Sequence, residues 1–194
     1  MSDEPTTASL GDTLARLQGA LDAAPSEKGL PESDWITQRP PPPLHLWHPE
    51  HCGDIGMQIR SDGSWWHAGS RFKRQELVNL FASILRRESD GEYYLVTPVE
   101  KVRVSVELHP LRVVDADYDL AAETPTLMLS LNTGGIVPLD AKHPLKTEPK
   151  ANDAPYVELS HGLSALFSRS AWYRLAEWVD ESGSIESAGC RFQL

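Results

Sequence analysis

At 194 residues, 40% of them hydrophobic, the chain is long enough for one large or two small domains with a buried core. Its net charge of -10 repels phosphate backbones, which argues against general nucleic-acid binding and against an anionic membrane surface, and leaves room only for a local basic pocket. Two cysteines, Cys52 and Cys190, are too few for a disulfide framework and lack zinc spacing; with no signal-peptide pattern at the start and no apolar run of membrane-spanning length, a reduced, cytoplasmic setting is expected.

Residues 9 to 23 place Leu10, Leu14, Leu17 and Leu21 at helical spacing, predicting a short amphipathic helix that Pro25 ends. Pro40 to Pro43 then impose an extended strap, and the compact body is expected after it. From Ile55 the period changes to two: Ile55, Met57 and Ile59 share a face, Asp62-Gly63 makes a turn, and Ser64 to Ala68 return as a second strand. Leu77, Leu80, Phe81, Ile84 and Leu85 predict a helix over 73–87, with Arg86 and Arg87 at its dipole-favourable end and Asp90-Gly91 as its stop. "EYYLVTP", "KVRVSVEL", "LRVVDADYD", "TLMLSL" and "GIVPL" read as strands, the last two flanking a hairpin turn at Asn132 to Gly135.

The last third repeats the plan. "YVELSHGLSALFSRSAWYRLAEWVDE" aligns on "MQIRSDGSWWHAGSRFKRQELVNLFASI", setting Ser168-Arg169 on Ser70-Arg71 and Leu175, Trp178 and Val179 on Leu77, Leu80 and Phe81. An internal duplication is the expectation, giving an α+β fold of two similar sheet-and-helix units. The divisions drawn are residues 1–43 for the helix and strap, 44–108 for the first unit and 109–194 for the second.

Several constellations compete with plain folding roles. In the hairpin, Trp65 and His67 point one way and Trp66 and Ala68 the other, so one tryptophan belongs to the core while the other packs under a neighbouring segment or stacks a ligand. Arg71, Lys73 and Arg74 sit where a helix start prefers acids, an arrangement suited to an anion, unless those side chains lie outside the helix. "HLWHPEHC" gathers His45, His48, His51 and Cys52, but Pro49 breaks any regular ligand spacing, and no metal site is assigned. Asp115, Asp117 and Asp119 open like a calcium loop, yet Leu120 stands where glycine is needed, so they are read as a solvated strand edge. Nucleophile, P-loop and dinucleotide motifs are missing, and His67, His109, His143 and His161 gain no partner from sequence, so no catalytic residue is assigned and no cofactor is expected.

At "HPEHCGDIGMQIRSDGSWWHAGS", "LVNLFASILRRESDGEYYLVTPVEKVRVSVE" and "DAKHPLK", the sequence resembles a bacterial family of unknown function, DUF 1285, over about residues 44 to 194. The resemblance implies a duplicated α+β core and a C-terminal half similar to pleckstrin-homology-like barrels. It also implies a ligand site between the halves, for a nucleotide-like molecule, and a role in signalling. It brings no activity and no catalytic residues, and it leaves residues 1–43 unmatched.

The residues themselves meet that expectation at a set of cations on strands and joints. Arg71, Lys101, Arg103, His143 and Lys146 are the expected ligand-binding groups, with Trp66 or Tyr94 covering a planar moiety. The expected function is a non-enzymatic sensing or regulatory module for a small anionic ligand. The alternatives are a protein-interaction module using the N-terminal helix and strap, and a metal- or His-dependent hydrolase.

Overall fold

The computed structural model describes residues 42–194 and, before them, Ala15 and Gly19, both helical. The remainder of the expected N-terminal helix and the strap up to residue 41 lie outside the described residues, as do the side chains of His51 and Cys52. From Pro42 the chain enters a 3-10 turn, Leu44–Leu46, with Leu44 and Trp47 buried beside it. Arg86 fastens this entry, its guanidinium donating to the carbonyls of Leu44 and Trp47 at 2.5 and 3.1 Å.

Twelve strands form two mixed sheets. β1 (His51–Ile59), β2 (Trp65–His67), β3 (Ser70–Arg71), β4 (Leu85–Arg87), β5 (Tyr93–Val96) and β6 (Lys101–Val106) lie in the order β3-β2-β1-β6-β5-β4. β7 (Leu111–Asp119), β8 (Thr126–Leu131), β9 (Ile136–Pro138), β10 (Leu145–Glu148), β11 (Ala154–Glu158) and β12 (Ser164–Phe167) lie in the order β10-β11-β12-β7-β8-β9. Each sheet is a pair of three-strand antiparallel meanders, joined where its first and last strands run parallel, β1 beside β6 and β7 beside β12. Residues 139–144 link opposite edges of the second sheet. Five strand spacings span ~24 Å, and the seven steps from Pro138 to Leu145 reach only ~25 Å fully extended and less with the turn that His143 closes on Asp140, so that sheet must curl. One apolar cluster runs through both units, from Leu44 to Phe192.

The fold is therefore α+β, two similar sheet units of duplicated topology, as the repeat in the sequence implies. Its register differs from the sequence alignment. Hairpin, helix and hairpin do recur, through β1-β2, α1 (Gln75–Ser83) and β4-β5, and through β11-β12, α2 (Arg169–Ala176) and β13-β14 (Ser184–Ser187, Cys190–Gln193). The parallel neighbour, however, falls on β1 in the first copy and on β12 in the second. Local similarity records hairpin and helix chemistry, whereas sheet order is decided by long-range pairing.

Two boundaries move for physical reasons. The helix expected over 73–87 stops at Ser83, because Ile84 leaves helical geometry at φ -113 and ψ 9 and Leu85 starts β4. Both residues are completely buried, and pairing of Leu85 with Leu95 satisfies the backbone there. Arg86 and Arg87 thus belong to a strand, and Asp90-Gly91 is the turn of hairpin β4-β5, closed by Gly91 donating to Glu88 at 3.0 Å. In the second unit α2 stops at Ala176, so Trp178 and Val179 come after the helix instead of lying in it. Among the described residues, no helix is long and apolar enough to cross a membrane.

Candidate functional site

The cations named from sequence occupy separate places. Lys101 and Arg103 stand on the solvent side of β6 beside the acidic turn of β4-β5: Lys101 Nζ is 3.7 Å from Glu88 and 4.7 Å from the Tyr94 ring centre, and Arg103 grips Glu92 at 2.6 Å. The Tyr94 hydroxyl donates to Asp90 at 2.9 Å, the main reason its pKa is raised. Lys146 pairs with Glu158 at 2.6 Å across the β10-β11 pair, and buried His143 contacts Asp140 at 2.8 Å. Trp66 lies half-buried under the Arg60 guanidinium, 3.6 Å from the ring centre, and donates its indole N–H to Ser64 at 2.7 Å. Arginine covers it.

Of this set, Arg71 lines the cleft between the two units, and the others do not line that cleft. The cleft has a volume of about 310 Å³ and lies between the two units, with Asp62, Arg71 and Gln75 from the first unit facing Arg112, Asn132 and Ser168 from the second. Trp65, Phe72, Val78 and Val114 provide its apolar wall. Local chemistry builds each side. Arg74 is the extended residue before α1, so Arg71, Lys73 and Arg74 all lie outside the helix, and Arg71 sits in β3 opposite Trp66. Ser168, half-buried at the matching joint, caps α2 by accepting from the Ala171 amide at 3.2 Å. The two joints that the sequence pairs by similarity therefore border one cleft.

Hydrogen bonds hold the walls in register. Arg112 donates from Nη1 to the Ser61 carbonyl at 3.2 Å, and its amide donates to Asn132 Oδ1 at 3.0 Å. Gln75 reaches the Asn132 carbonyl at 3.0 Å. Gly63, at φ +78, lies against Arg112 so closely that a Cβ there would meet Arg112 Cγ at 2.5 Å. The electrostatics result from these positions. Asp62 Oδ1 accepts from the Ser64 hydroxyl and amide at 2.5 and 2.8 Å, and those bonds, with help from Arg71 and Arg60, hold its carboxyl below the usual range. Burial lowers the pKa of Arg112, partly offset by the Asp62 charge.

A second polar group ties the halves together. His109 is 5% exposed, with Nδ1 2.7 Å from Ser164 Oγ, Nε2 3.2 Å from Glu148 Oε2 and its ring 4.6 Å from that of Tyr156. Glu148 approaches the ring without a well-directed hydrogen bond. The Tyr93 hydroxyl, from the first unit, also approaches Ser164. A Ser–His–Glu line has the residue types of a nucleophile, its base and an orienting acid. Here the serine hydroxyl is engaged by His109, with Tyr93 approaching from the first unit, which suits a joint. His109 is kept neutral chiefly by burial, against the pull of Glu148.

Of the residues lining this cleft, sequence reasoning singles out Arg71 and the joint at Ser168, and passes over Arg112, Asn132, Gln75 and Asp62. Asp62 and Asn132 were legible only as turn residues, and Arg112 only as one outward position of a strand. Their meeting depends on how the two sheets face each other.

Comparison with known proteins gives a consistent result. Residues 42–108 match the family described as "Domain of unknown function (DUF1285), N-terminal domain", and residues 110–194 match "Protein of unknown function (DUF1285), C-terminal domain". The crystal structure of a DUF1285 family protein from Silicibacter pomeroyi DSS-3 is similar at 32% identity over 92% of this chain and 93% of that one, with a TM-score of 0.73. Another, from Shewanella baltica OS155, is similar at 31% identity over 63% of this chain and 91% of that one, with a TM-score of 0.52. No curated protein matches the chain.

Proposed function

The chain belongs to the DUF1285 family, and from that premise and the cleft we propose a non-enzymatic sensing or regulatory module that binds a small molecule through an anionic group between its two halves. One observation carries this reading. The half-buried Arg112 guanidinium spends a single donor, on Ser61, and Arg71, which makes no side-chain hydrogen bond or ion pair among the described residues, lines the same cleft. A guanidinium carries five donors, and those that Ser61 does not take on Arg112, together with those of exposed Arg71, are available to an anionic group in the cleft. A nucleotide-like ligand and a place in signal transduction are what the family resemblance implies, and adenosine monophosphate in the series below tests the first of them.

A thermal-shift series with inorganic phosphate, acetate and adenosine monophosphate tests it, because a ligand of the folded state alone raises stability by mass action, by ~2.7 kcal/mol at a hundred times Kd. At least one anion is expected to raise Tm, and Arg112→Gln to abolish that rise while Lys146→Ala leaves it unchanged. Shifts that are absent, or that survive loss of Arg112, would remove the reading.

A further inference from the structure

Resting on the anion-binding reading, we infer that the ligand of this cleft carries an ammonium beside its anionic group and belongs to the class of α-amino acids. The charge arrangement is the reason. Two guanidiniums, Arg71 and Arg112, share the lining with one carboxylate, Asp62. Asp62 uses Oδ1 to accept both bonds from Ser64, and Oδ2 has no hydrogen-bond partner among the described residues. The acid is therefore a recognition group in its own right as well as a counter-ion. A phosphate dianion would place two negative charges beside this carboxylate, and like charges in one cleft repel. A carboxylate and an ammonium on neighbouring carbons meet the same lining without that penalty.

The neutral groups divide in the same way. Asn132 Oδ1 is taken by the Arg112 amide, which leaves its Nδ2 as a donor beside the guanidinium. Gln75 spends its Nε2 on Asn79 and on the Asn132 carbonyl, which leaves its Oε1 as an acceptor. Donors for a carboxylate and acceptors for an ammonium are thus both available in one cleft. Its volume, about 310 Å³, is at the small end of metabolite pockets. Phe72 and Val114 offer the surface for an apolar side chain, beside buried Trp65.

The test is isothermal titration of the full chain with each of the twenty L-amino acids, with the N-acetyl derivative of every binder, and with inorganic phosphate and adenosine monophosphate. The expected result is that at least one amino acid binds about tenfold or more tighter than its N-acetyl derivative, which keeps the carboxylate and loses the ammonium. Asp62→Asn should erase that preference while retaining carboxylate binding, and Arg112→Gln should erase both. The wild-type comparison stands alone if either variant folds poorly. Amino acid and N-acetyl derivative binding equally, or phosphate or the nucleotide binding more tightly than any amino acid, would overturn the inference and leave the anion reading intact. Binding by none of these compounds would overturn both.

Discussion

Single residues in this protein matter where backbone or side chain has no room to change. Gly63 has both constraints: a positive φ that disfavours any Cβ, and Arg112 Cγ within 2.5 Å of where that Cβ would stand. Gly63→Ala is expected to destabilise the fold by ~1–3 kcal/mol in chemical denaturation, with Arg112 displaced from the cleft. Ser187 is a different case. Its hydroxyl, 1% exposed, donates to the Leu139 carbonyl at 2.6 Å and accepts from the Leu127 amide at 2.8 Å, bridging the small β13-β14 sheet to β8 and the end of β9. Ser187→Ala leaves two buried backbone groups unpaired and should cost about 2–3 kcal/mol, measured as a lower denaturation midpoint with unchanged slope.

Elements here are shaped by their neighbours in the chain as much as by their own periodicity. The apolar spacing of residues 73–87 continues through Ile84 and Leu85, yet the helix ends first, because those two residues are buried as the start of a strand in the first sheet. Helical and strand periods both place Leu85 in the core, so the pattern alone leaves the boundary open. α2 has a better-marked start. Ser168 accepts from the Ala171 amide, and Ser168→Ala is expected to cost ~1 kcal/mol in thermal or chemical unfolding. Because Ser168 also lines the cleft, the variant reports on ligand binding at the same time. The three aspartates of β7 show an element used differently along its length. β12 covers only Leu111 to Val113, so Asp115, Asp117 and Asp119 stand exposed on the uncovered part, as a solvated edge, with Asp115 3.3 Å from Arg174.

At the scale of the whole molecule, the contacts between the two units carry both the cleft and the His109 joint. Burial holds the His109 pKa below 6.5, so the folded state binds fewer protons there than the unfolded chain. Stability from this group is complete above about pH 6.5 and is lost as pH falls through the lowered folded value. Tm of the wild type should therefore decline from pH 7 to pH 5, and His109→Gln, which keeps polar atoms and carries no titration, should flatten that decline. Equal slopes in a buffered melting series would show that His109 does not govern it. A separate acid loss belongs to Asp180, held at about 2 mainly by the Ser182 hydroxyl and the Ser184 amide, and it falls between the ordinary value of 3.8 and that lower one. His109→Gln removes the first contribution and leaves the second, so the pair of pH series separates them.

Much of the architecture was present in the sequence because its causes are local. Alternation along "KVRVSVEL" predicts buried Val102 and Val104 beneath outward Lys101 and Arg103, and the turn at Asn132 to Gly135 sets the β8-β9 hairpin. Similarity between the Ser70-Arg71 and Ser168-Arg169 joints announces a repeated build, because hairpin and helix chemistry is written in adjacent residues. Which strand runs parallel to which, where the repeat's register falls, and which charges share a cleft were decided only by tertiary structure. Lys101, Arg103 and Lys146 look free as letters, yet each meets a carboxylate brought from another strand or turn. Arg112 looks ordinary, yet packing of one sheet unit against the other half-buries it with most of its donors unspent. Charge pairing and desolvation depend on distance in space, and no spacing along the chain encodes that.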